Sequence, residues 1–270
     1  MGRALEVITG FTTGAIAAFT GWTMAAGNSL TIRNAPLNSR VSLLQAWADF
    51  QFTGTLRIRS PKLHDANSAI RLDVTVGDAT PMLPFGIAQP LFPQDILVAE
   101  QTSGAAAGDV ETGAFLVYHE DLPGASAMLI TEEELLQRGV NILANENTLA
   151  LGTAGGYSGE EAINTEIDNF KGNTWYALVG YLCDTECAVV RWRGSDTGNL
   201  GVGGPGNETL RHVTADWFRR LSRHYKLPLI PVFNAANKGG FLIDGAQDEN
   251  GADVTVTSIF VELSQAPAAR

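Results

Sequence analysis

The feature that most constrains the fold is a strand pattern that occurs twice in the chain. The segment "TLRIRSP" alternates apolar residues with Arg57 and Arg59, and the segment "VVRWRGS" places Arg191 and Arg193 in the same pattern. Alternation with a period of two is typical of a β-strand with one buried face. The repeated strand therefore predicts two copies of one β unit. Its arginines are candidates for solvent-facing or intersubunit pairing, or for a charged edge that blocks aggregation.

Longer segments around these strands support the duplication. The segments "VSLLQAWADFQFTGTLRIRSP" and "WYALVGYLCDTECAVVRWRGS" match without a gap, so that Leu44 meets Leu178 and Trp47 meets Tyr181. A later block matches "GDVETGAFLVY" to "ADVTVTSIFVE". Between them, two Pro-x-x-Pro pairs superpose, Pro81 and Pro84 on Pro228 and Pro231. Three blocks that recur in the same order predict two tandem sandwiches.

Strand-forming segments dominate the chain. Short runs rich in β-branched and aromatic residues alternate with Gly, Pro, Asn and Asp. This pattern predicts an all-β fold of two tandem jelly-roll-like antiparallel β-sandwiches, with a few short helices in the connector and loops. The predicted strands are residues 29–33, 41–47, 55–59, 69–76, 96–101, 114–119, 175–182, 188–193, 229–233, 241–244 and 254–263.

The 270 residues divide into two units and a connector. We expect residues 1–125 to form an N-terminal arm and the first jelly-roll sandwich. Residues 126–170 are expected to be a helical connector. Residues 171–270 then form the second sandwich, with an inserted helix near residues 214–226. Each unit is long enough to bury a core of its own.

Three segments predict helices. "TEEELLQRG" has Thr131 and Glu134 in capping-box spacing and ends at Gly139. "GEEAINTEIDNF", residues 159–170, predicts a second short helix. "TADWFRRLSRHYKLP" predicts an amphipathic helix that ends before Pro228. The apolar face of that helix consists of Trp217, Phe218, Leu221 and Tyr225.

The segment over residues 7–32 carries no charge and is long enough to cross a bilayer. Glycines and threonines dilute its hydrophobicity, and no cluster of positive charge precedes it. We therefore expect an N-terminal arm or strand pair that packs on a neighbour or on the protein's own sheet.

The charge of the chain is acidic, with a net charge of −11 and a pI near 4.8. This balance opposes a broad nucleic-acid surface, because phosphate binding requires clustered Lys and Arg. The basic residues that do cluster lie on the predicted helix: Arg211, Arg219, Arg220, Arg223 and Lys226. They contact either nucleic acid or an anionic membrane, or else the acidic "TEEE" and "GEE" segments of the same or a neighbouring chain, which the net charge favours.

The predicted chain has two consecutive sandwiches, each of about eight short strands, joined by a helical connector. In this it resembles the double jelly-roll major capsid proteins of non-tailed, often membrane-containing viruses. The resemblance covers nearly the whole chain. It implies a structural protein of the virion, assembled in the host cytoplasm, whose homotrimers form pseudo-hexagonal capsomers of an icosahedral shell. It also implies no enzymatic activity, no cofactor, and no sequence-specific binding of nucleic acid. The implied partners are further copies, other coat or vertex proteins and an internal membrane.

Several motifs with possible chemistry have simpler interpretations. "GVGGPG" has the spacing of a dinucleotide-binding loop but no strand-to-helix context, which favours a flexible loop. "GYSGE" around Ser158 lacks the final glycine of a nucleophile elbow. The loop from Asp248 to Asp253 has alternating oxygen ligands for Ca²⁺, but the corresponding "SGAAAGD" lacks the carboxylates, which favours a hairpin turn. The histidines, which lack metal-ligand spacing, are His64, His119, His212 and His224.

The two cysteines leave an alternative open. Cys183 and Cys187 flank a three-residue loop, which predicts that they face one another across a hairpin, either as a disulfide or as two thiols. We assign no catalytic, cofactor-binding or metal site from the sequence. Two other functions stay open: a carbohydrate-binding sandwich using Trp47, Trp175 or Trp192, and a sandwich hydrolase with carboxylates from distant strands.

Overall fold

A computed structural model describes most of the chain as two β-sandwiches. The described residues are 2–14, 16–33, 36, 39–60, 70–74, 80–81, 86–104, 106, 108–152, 154–163, 170–247 and 253–267. We call residues 2–122 unit 1 and residues 129–263 unit 2. Each unit has one sheet of longer strands, its long sheet, and a second, facing sheet, its short sheet.

Unit 1 consists of strands alone in the part that the structure describes. Its strands are β1 (Gly2–Thr13), β2 (Ile16–Gly21), β3 (Thr23–Met24), β4 (Val41–Asp49), β5 (Gly54–Arg59), β6 (Ile70–Val74), β7 (Thr80–Pro81), β8 (Gln89–Leu91), β9 (Val98–Ser103) and β10 (Val110–Leu122). The long sheet has the order β3-β1-β10-β4, and both β7 and β8 pair with β4. The short sheet has the order β2-β9-β5-β6. All pairs in both sheets are antiparallel.

Over its described residues, unit 2 contains strands and three short α-helices. Its elements are β11 (Leu129–Ile130), α1 (Glu132–Arg138), β12 (Gly139–Ala150), β13 (Ser158–Ala162), β14 (Trp175–Cys183), β15 (Cys187–Arg193), β16 (Val202–Gly206), α2 (Arg211–Thr214), α3 (Trp217–Tyr225), β17 (Ile230–Asn234), β18 (Leu242–Ala246) and β19 (Asp253–Leu263). The long sheet has the order β11-β17-β14-β19-β12, and the short sheet has the order β13-β18-β15-β16.

The two units have the same topology. In chain order, β1, β2, β4, β5, β6, β8, β9 and β10 of unit 1 correspond to β12 through β19 of unit 2. Both long sheets place the first, last, third and sixth of these strands side by side, and both short sheets place the second, seventh, fourth and fifth. This is the strand order of a jelly roll. The predicted all-β fold of two tandem antiparallel sandwiches is confirmed.

The strand register corrects the predicted alignment by one residue. In both units the third strand has a bulge against the last strand, and the bulged residue is Leu44 in unit 1 and Val179 in unit 2. Leu44 therefore corresponds to Val179 rather than to Leu178, and Trp47 corresponds to Leu182 rather than to Tyr181. The cause is the turn after β4, which is one residue longer than the turn after β14. A one-residue slip moves a side chain to the opposite face of the sheet.

The proline match is also wrong. β8 pairs with the start of β4, where Leu91 lies opposite Val41, and β17 pairs in the same way with β14, where Phe233 lies opposite Tyr176. Pro81 instead pairs with the far end of β4 at Trp47. Pro84 lies outside the described residues.

The helix predictions have mixed outcomes. Helix α1 has the predicted capping box between Thr131 and Glu134, and α3 lies within the predicted inserted helix. The helix predicted for residues 159–170 is wrong at its start, because Ser158–Ala162 pairs with β18 as strand β13. Residues 164–169 lie outside the described part of the chain. The division at residues 125 and 170 stays a prediction; the strands between them pair with strands of unit 2.

The uncharged N-terminal segment forms strands of the protein's own sheets, which is one of the two arrangements predicted for it. β1 is an interior strand between β3 and β10, and β2 is an edge strand of the short sheet. Over the residues that the structure describes, no helix is long and apolar enough to cross a membrane.

The described residues form two hydrophobic clusters. One lies between the two sheets of unit 1 and includes Leu56, Ile58 and Phe115. The other extends from the core of unit 2 across to the outer face of the long sheet of unit 1, where it includes Leu5 and Trp47. The long sheet of unit 1 is therefore buried on both faces.

Candidate functional site

The repeated arginines form the same cluster in both units. In unit 1, Arg57 and Arg59 of β5 pair with Glu100 of β9 at 2.7 and 2.5 Å, and the guanidinium of Arg57 lies 3.6 Å from the ring centre of Phe19. β5 is an interior strand of its sheet. The arginines therefore do not form an aggregation-blocking edge; they lie partly exposed on the outer face of the short sheet, where they form an ion-pair cluster within the chain.

Unit 2 repeats this cluster at corresponding positions. Arg191 of β15 binds both carboxylate oxygens of Asp244 on β18, at 2.8 and 2.6 Å, and Arg193 lies 3.4 Å from the same carboxylate. The guanidinium of Arg191 lies 3.4 Å from the ring centre of Tyr157. The short-sheet pairing places Tyr157 where Phe19 lies in unit 1. Each short sheet thus presents an aromatic ring over an arginine that is held by an acid.

Burial and pairing set the protonation of these clusters. Burial acts to raise the pKa of Glu100, but its hydrogen bonds to Arg59 and Arg57 and their charges outweigh this and hold the pKa below its usual range. Burial acts to lower the pKa of Arg191, and Asp244 outweighs it and raises the pKa. These shifts favour the charged forms of Glu100 and Arg191.

The cluster of unit 2 lies at the interface with unit 1. The Tyr157 hydroxyl lies 2.6 Å from Thr9 Oγ1 on β1. The Trp47 indole donates to the carbonyl of Ala188 on β15 at 2.8 Å, and the amide of Val7 donates to the carbonyl of Gly201 at 2.8 Å. The outer face of the long sheet of unit 1 therefore packs on the outer face of the short sheet of unit 2.

A cleft of about 420 Å³ opens at this interface. Its acids and arginines pair with one another: Glu6 binds Arg33 at 2.9 Å, and Asp244 binds Arg191. Burial acts to raise the pKa of Glu6, but His119 and Arg33 outweigh it and lower the pKa. The pairing neutralises these charges, so the cleft has the chemistry of an interface rather than of a charged-ligand site.

The corresponding outer face of unit 2 is exposed along β12 and half-buried along β19, whereas Val179 of β14 is buried. A shallow groove of about 660 Å³ runs between α1, β12, β19 and the start of α3. Large apolar side chains that line it are accessible to solvent, with exposed fractions of 71% for Leu136, 61% for Val140 and 72% for Ile142. Exposed apolar side chains grouped in this way mark interaction surfaces.

The basic helix binds the acidic segment of its own chain, as the net charge favoured. Arg219 Nε lies 3.0 Å and Arg223 Nε lies 2.9 Å from the carboxylate of Glu132, the first residue of α1. Arg220 pairs with Asp216 one turn earlier. The hydrogen bond from Arg223 lowers the pKa of Glu132 to about 2, against the opposing effect of burial and with the support of Arg219. These bonds tie α1 to α3.

The glycine-rich segment is a buried strand rather than a flexible loop. Val202–Gly206 is β16, which pairs with β15. A Cβ atom at Gly204 would lie 2.4 Å from the Tyr181 hydroxyl, and one at Gly203 would lie 2.3 Å from the Val190 carbonyl. The glycines allow close packing, which explains their spacing without a nucleotide.

The cysteines are free and buried. They do not face one another across a hairpin, because β14 belongs to the long sheet and β15 to the short sheet. Burial raises the pKa of the Cys183 thiol to about 12 and raises that of Cys187 well above its ordinary value. Neither thiol is a reactive nucleophile near neutral pH.

The other motifs have structural roles or lie outside the described residues. Ser158 accepts a hydrogen bond from the Gly152 amide at the start of β13. His119 is fully buried, and its Nε2 lies 2.7 Å from Glu6 Oε1. Residues 248–252 of the proposed calcium loop are not described, and within the described ranges no cluster of three potential ligands could hold a metal ion. Trp47 and Trp192 are buried, so neither offers a sugar-stacking surface.

Comparisons with known proteins give no family. No family model matches the sequence, and no curated protein matches it. Among solved structures, the chain is similar to the PBSX exported protein XepA at 10% identity and a TM-score of 0.21, over 90% of this chain and 86% of that one. It is also similar to the major capsid protein P2 from bacteriophage PM2 at 9% identity and a TM-score of 0.23, over 99% of this chain and 100% of that one. TM-scores this low carry no argument about fold or function.

Proposed function

We propose that this protein is a structural subunit of a viral shell, which self-associates into trimers that tile the capsid of a virion. The observation that carries the proposal is that the two units join through different faces, the long sheet of unit 1 on the short sheet of unit 2. A chain built in this way has one more face of each kind, the long sheet of unit 2 and the short sheet of unit 1. Subunits that join through unlike faces form closed rings or open filaments.

In a ring of three copies, each of the six sandwiches would contact the next through the same pair of faces that joins the two units within one chain. The proposed role is that of a scaffold without catalytic activity, and its partners are further copies and other coat proteins. Structural contacts of buried acids in the described residues support this role: Glu6, Glu100, Glu132 and Asp244 pair with arginines, and Asp95 and Glu111 accept hydrogen bonds from Ser60 and Ser103.

The test is the assembly state of the purified protein. We expect sedimentation velocity to show trimers, and electron microscopy at higher concentration to show sheets or shells with hexagonal tiles. A protein that stays monomeric up to millimolar concentration, or that binds glycans or turns over substrate as a monomer, would overturn the proposal.

A further inference from the structure

We infer that the outer face of the long sheet of unit 2 binds the outer face of the short sheet of unit 1 in a second copy of this chain. This inference rests on the proposed function, because it names the contact through which copies join. The internal interface between the units is its template. That interface shows which residues of a long sheet contact a short sheet.

The strand register maps the buried face of unit 1 onto the exposed face of unit 2. The bulged residues, Leu44 and Val179, fix the mapping. Apolar residues then correspond in pairs: Leu5 with Ile142, Val7 with Ala144, Leu44 with Val179, Leu116 with Ile259, and Tyr118 with Val261. Leu5 is 0% exposed because unit 2 covers it, whereas Ile142 is 72% exposed. Along β12 the face of unit 2 is open, with Ile142 and Ala144 exposed, whereas Ile259 and Val261 are half-buried and Val179 is buried beside Ala215. The face thus has the apolar pattern of a covered surface, and its uncovered part lies at β12 and β19.

The short sheet of unit 1 offers the matching surface. It presents the cluster of Phe19, Arg57 and Glu100 in the arrangement with which Tyr157, Arg191 and Asp244 receive the long sheet of unit 1. Both surfaces occur in one sequence. A second copy of the chain therefore carries the short-sheet surface that can cover the apolar face of unit 2, and its own apolar face can bind a further copy.

Charge complementarity distinguishes the contact between copies from the internal one. Thr9, which contacts Tyr157, corresponds to the exposed Glu146. Gly203, which pairs with Arg191, corresponds to Arg71, whose guanidinium lies 5.7 Å from the Phe19 ring. The mapping therefore brings an acid and a base of different copies together beside Phe19. Complementary charges at the edge of an interface fix register and speed association.

The first experiment is sedimentation velocity on two matched variants. Ile142→Arg adds a charge to the exposed face of unit 2, and we expect it to weaken self-association at least tenfold. Ile87→Arg is the control, because Ile87 is 70% exposed and precedes β8, outside both proposed faces. We expect the control to associate within about twofold of the wild type. Association of Ile142→Arg at wild-type strength would overturn the inference.

A charge swap tests the register without disturbing the apolar face. Glu146→Arg and Arg71→Glu should each weaken association about three- to tenfold, and the two together in one chain should restore it. If the double variant does not recover wild-type association, the predicted register is wrong. The charge swap also serves as the test of the two faces if circular dichroism shows that Ile142→Arg misfolds. If the wild-type protein never associates, the proposed function is wrong. If the wild type associates and none of these substitutions weakens that association, only the choice of faces is wrong.

Discussion

The outer faces of the two long sheets have the same strand order and a closely similar apolar pattern, but different surroundings. Leu5 and Tyr118 of unit 1 are 0% and 1% exposed because unit 2 packs on them, whereas Ile142 of unit 2 is 72% exposed. The difference in exposure comes from the position of each sheet in the chain, because the apolar composition of the two faces is similar. An exposed sheet face with the apolar pattern of a buried one lacks its packing partner in a single chain. Paired substitutions at corresponding positions of the two units test this conclusion.

The largest contrast is expected at the indole of Trp47. Trp47→Ala removes a buried side chain that binds the Ala188 carbonyl and packs edge-on against Trp217 at 6.1 Å. We expect the free energy of unfolding to fall by about 3–5 kcal/mol, from the cavity and the lost hydrogen bond. The corresponding Leu182→Ala should cost about 1 kcal/mol or less in the isolated chain. Urea denaturation measures both, and equal losses would contradict the assignment of one face as covered.

The two arginine clusters should differ next. Arg191→Ala leaves the buried Asp244, whose side chain is 3% exposed, with Arg193 at 3.4 Å as its remaining arginine, and we expect a loss of about 1.5–3 kcal/mol. Arg57→Ala should cost about 1 kcal/mol, because Arg59 still binds Glu100 at 2.5 Å and this cluster lies on the open side of unit 1. The same urea titrations compare the two. A larger loss for Arg57→Ala would mean that the short sheet of unit 1 is the more buried surface.

Close packing at β16 gives a third contrast. A methyl group at Gly203 would lie 2.3 Å from the Val190 carbonyl of the neighbouring strand β15 and 3.2 Å from the Val7 side chain of unit 1, so Gly203→Ala must distort the β15–β16 pairing and crowd the contact with unit 1. We expect a loss of about 1–3 kcal/mol in thermal or urea unfolding. Arg71→Ala, at the corresponding position of unit 1, should change stability by no more than about 0.5 kcal/mol. Tolerance of the methyl group would show that β16 does not pack this closely against β15 and β1.

The sequence was sufficient to predict the duplicated all-β architecture because the strands keep their period of two. It also located the Arg57 and Arg191 strands as counterparts. Sequence alone missed the register of β4 and β14, because few residues are identical and a one-residue difference in the following turn leaves no trace in composition. The structure resolves it through the bulges at Leu44 and Val179.

The candidate site was less accessible to sequence reasoning. The acids that hold the arginines, Glu100 and Asp244, lie far along the chain on β9 and β18, and their role depends on strand pairing that periodicity does not specify. Phe19 and Tyr157 had no signal beyond their aromaticity. The helix predicted from residue 159 failed because pairing with β18 outweighed a weak local preference.

The smallest expected effect concerns a contact present in unit 2, the tie between α1 and α3. Glu132 has a folded pKa of about 2, below its ordinary 4.5, so its stabilisation is present above pH 4.5 and is lost as the pH falls toward 2. Its arginine partners are partly exposed, which screens the pairs, and we expect about 1 kcal/mol. Glu132→Gln should remove this part of the pH dependence between pH 5 and 2, whereas the exposed Glu133→Gln should retain it. Thermal unfolding across this range measures both, and identical pH profiles for the two variants would place the acid sensitivity elsewhere, for example in the Glu6 and Glu100 pairs of unit 1, whose pKa values are also lowered.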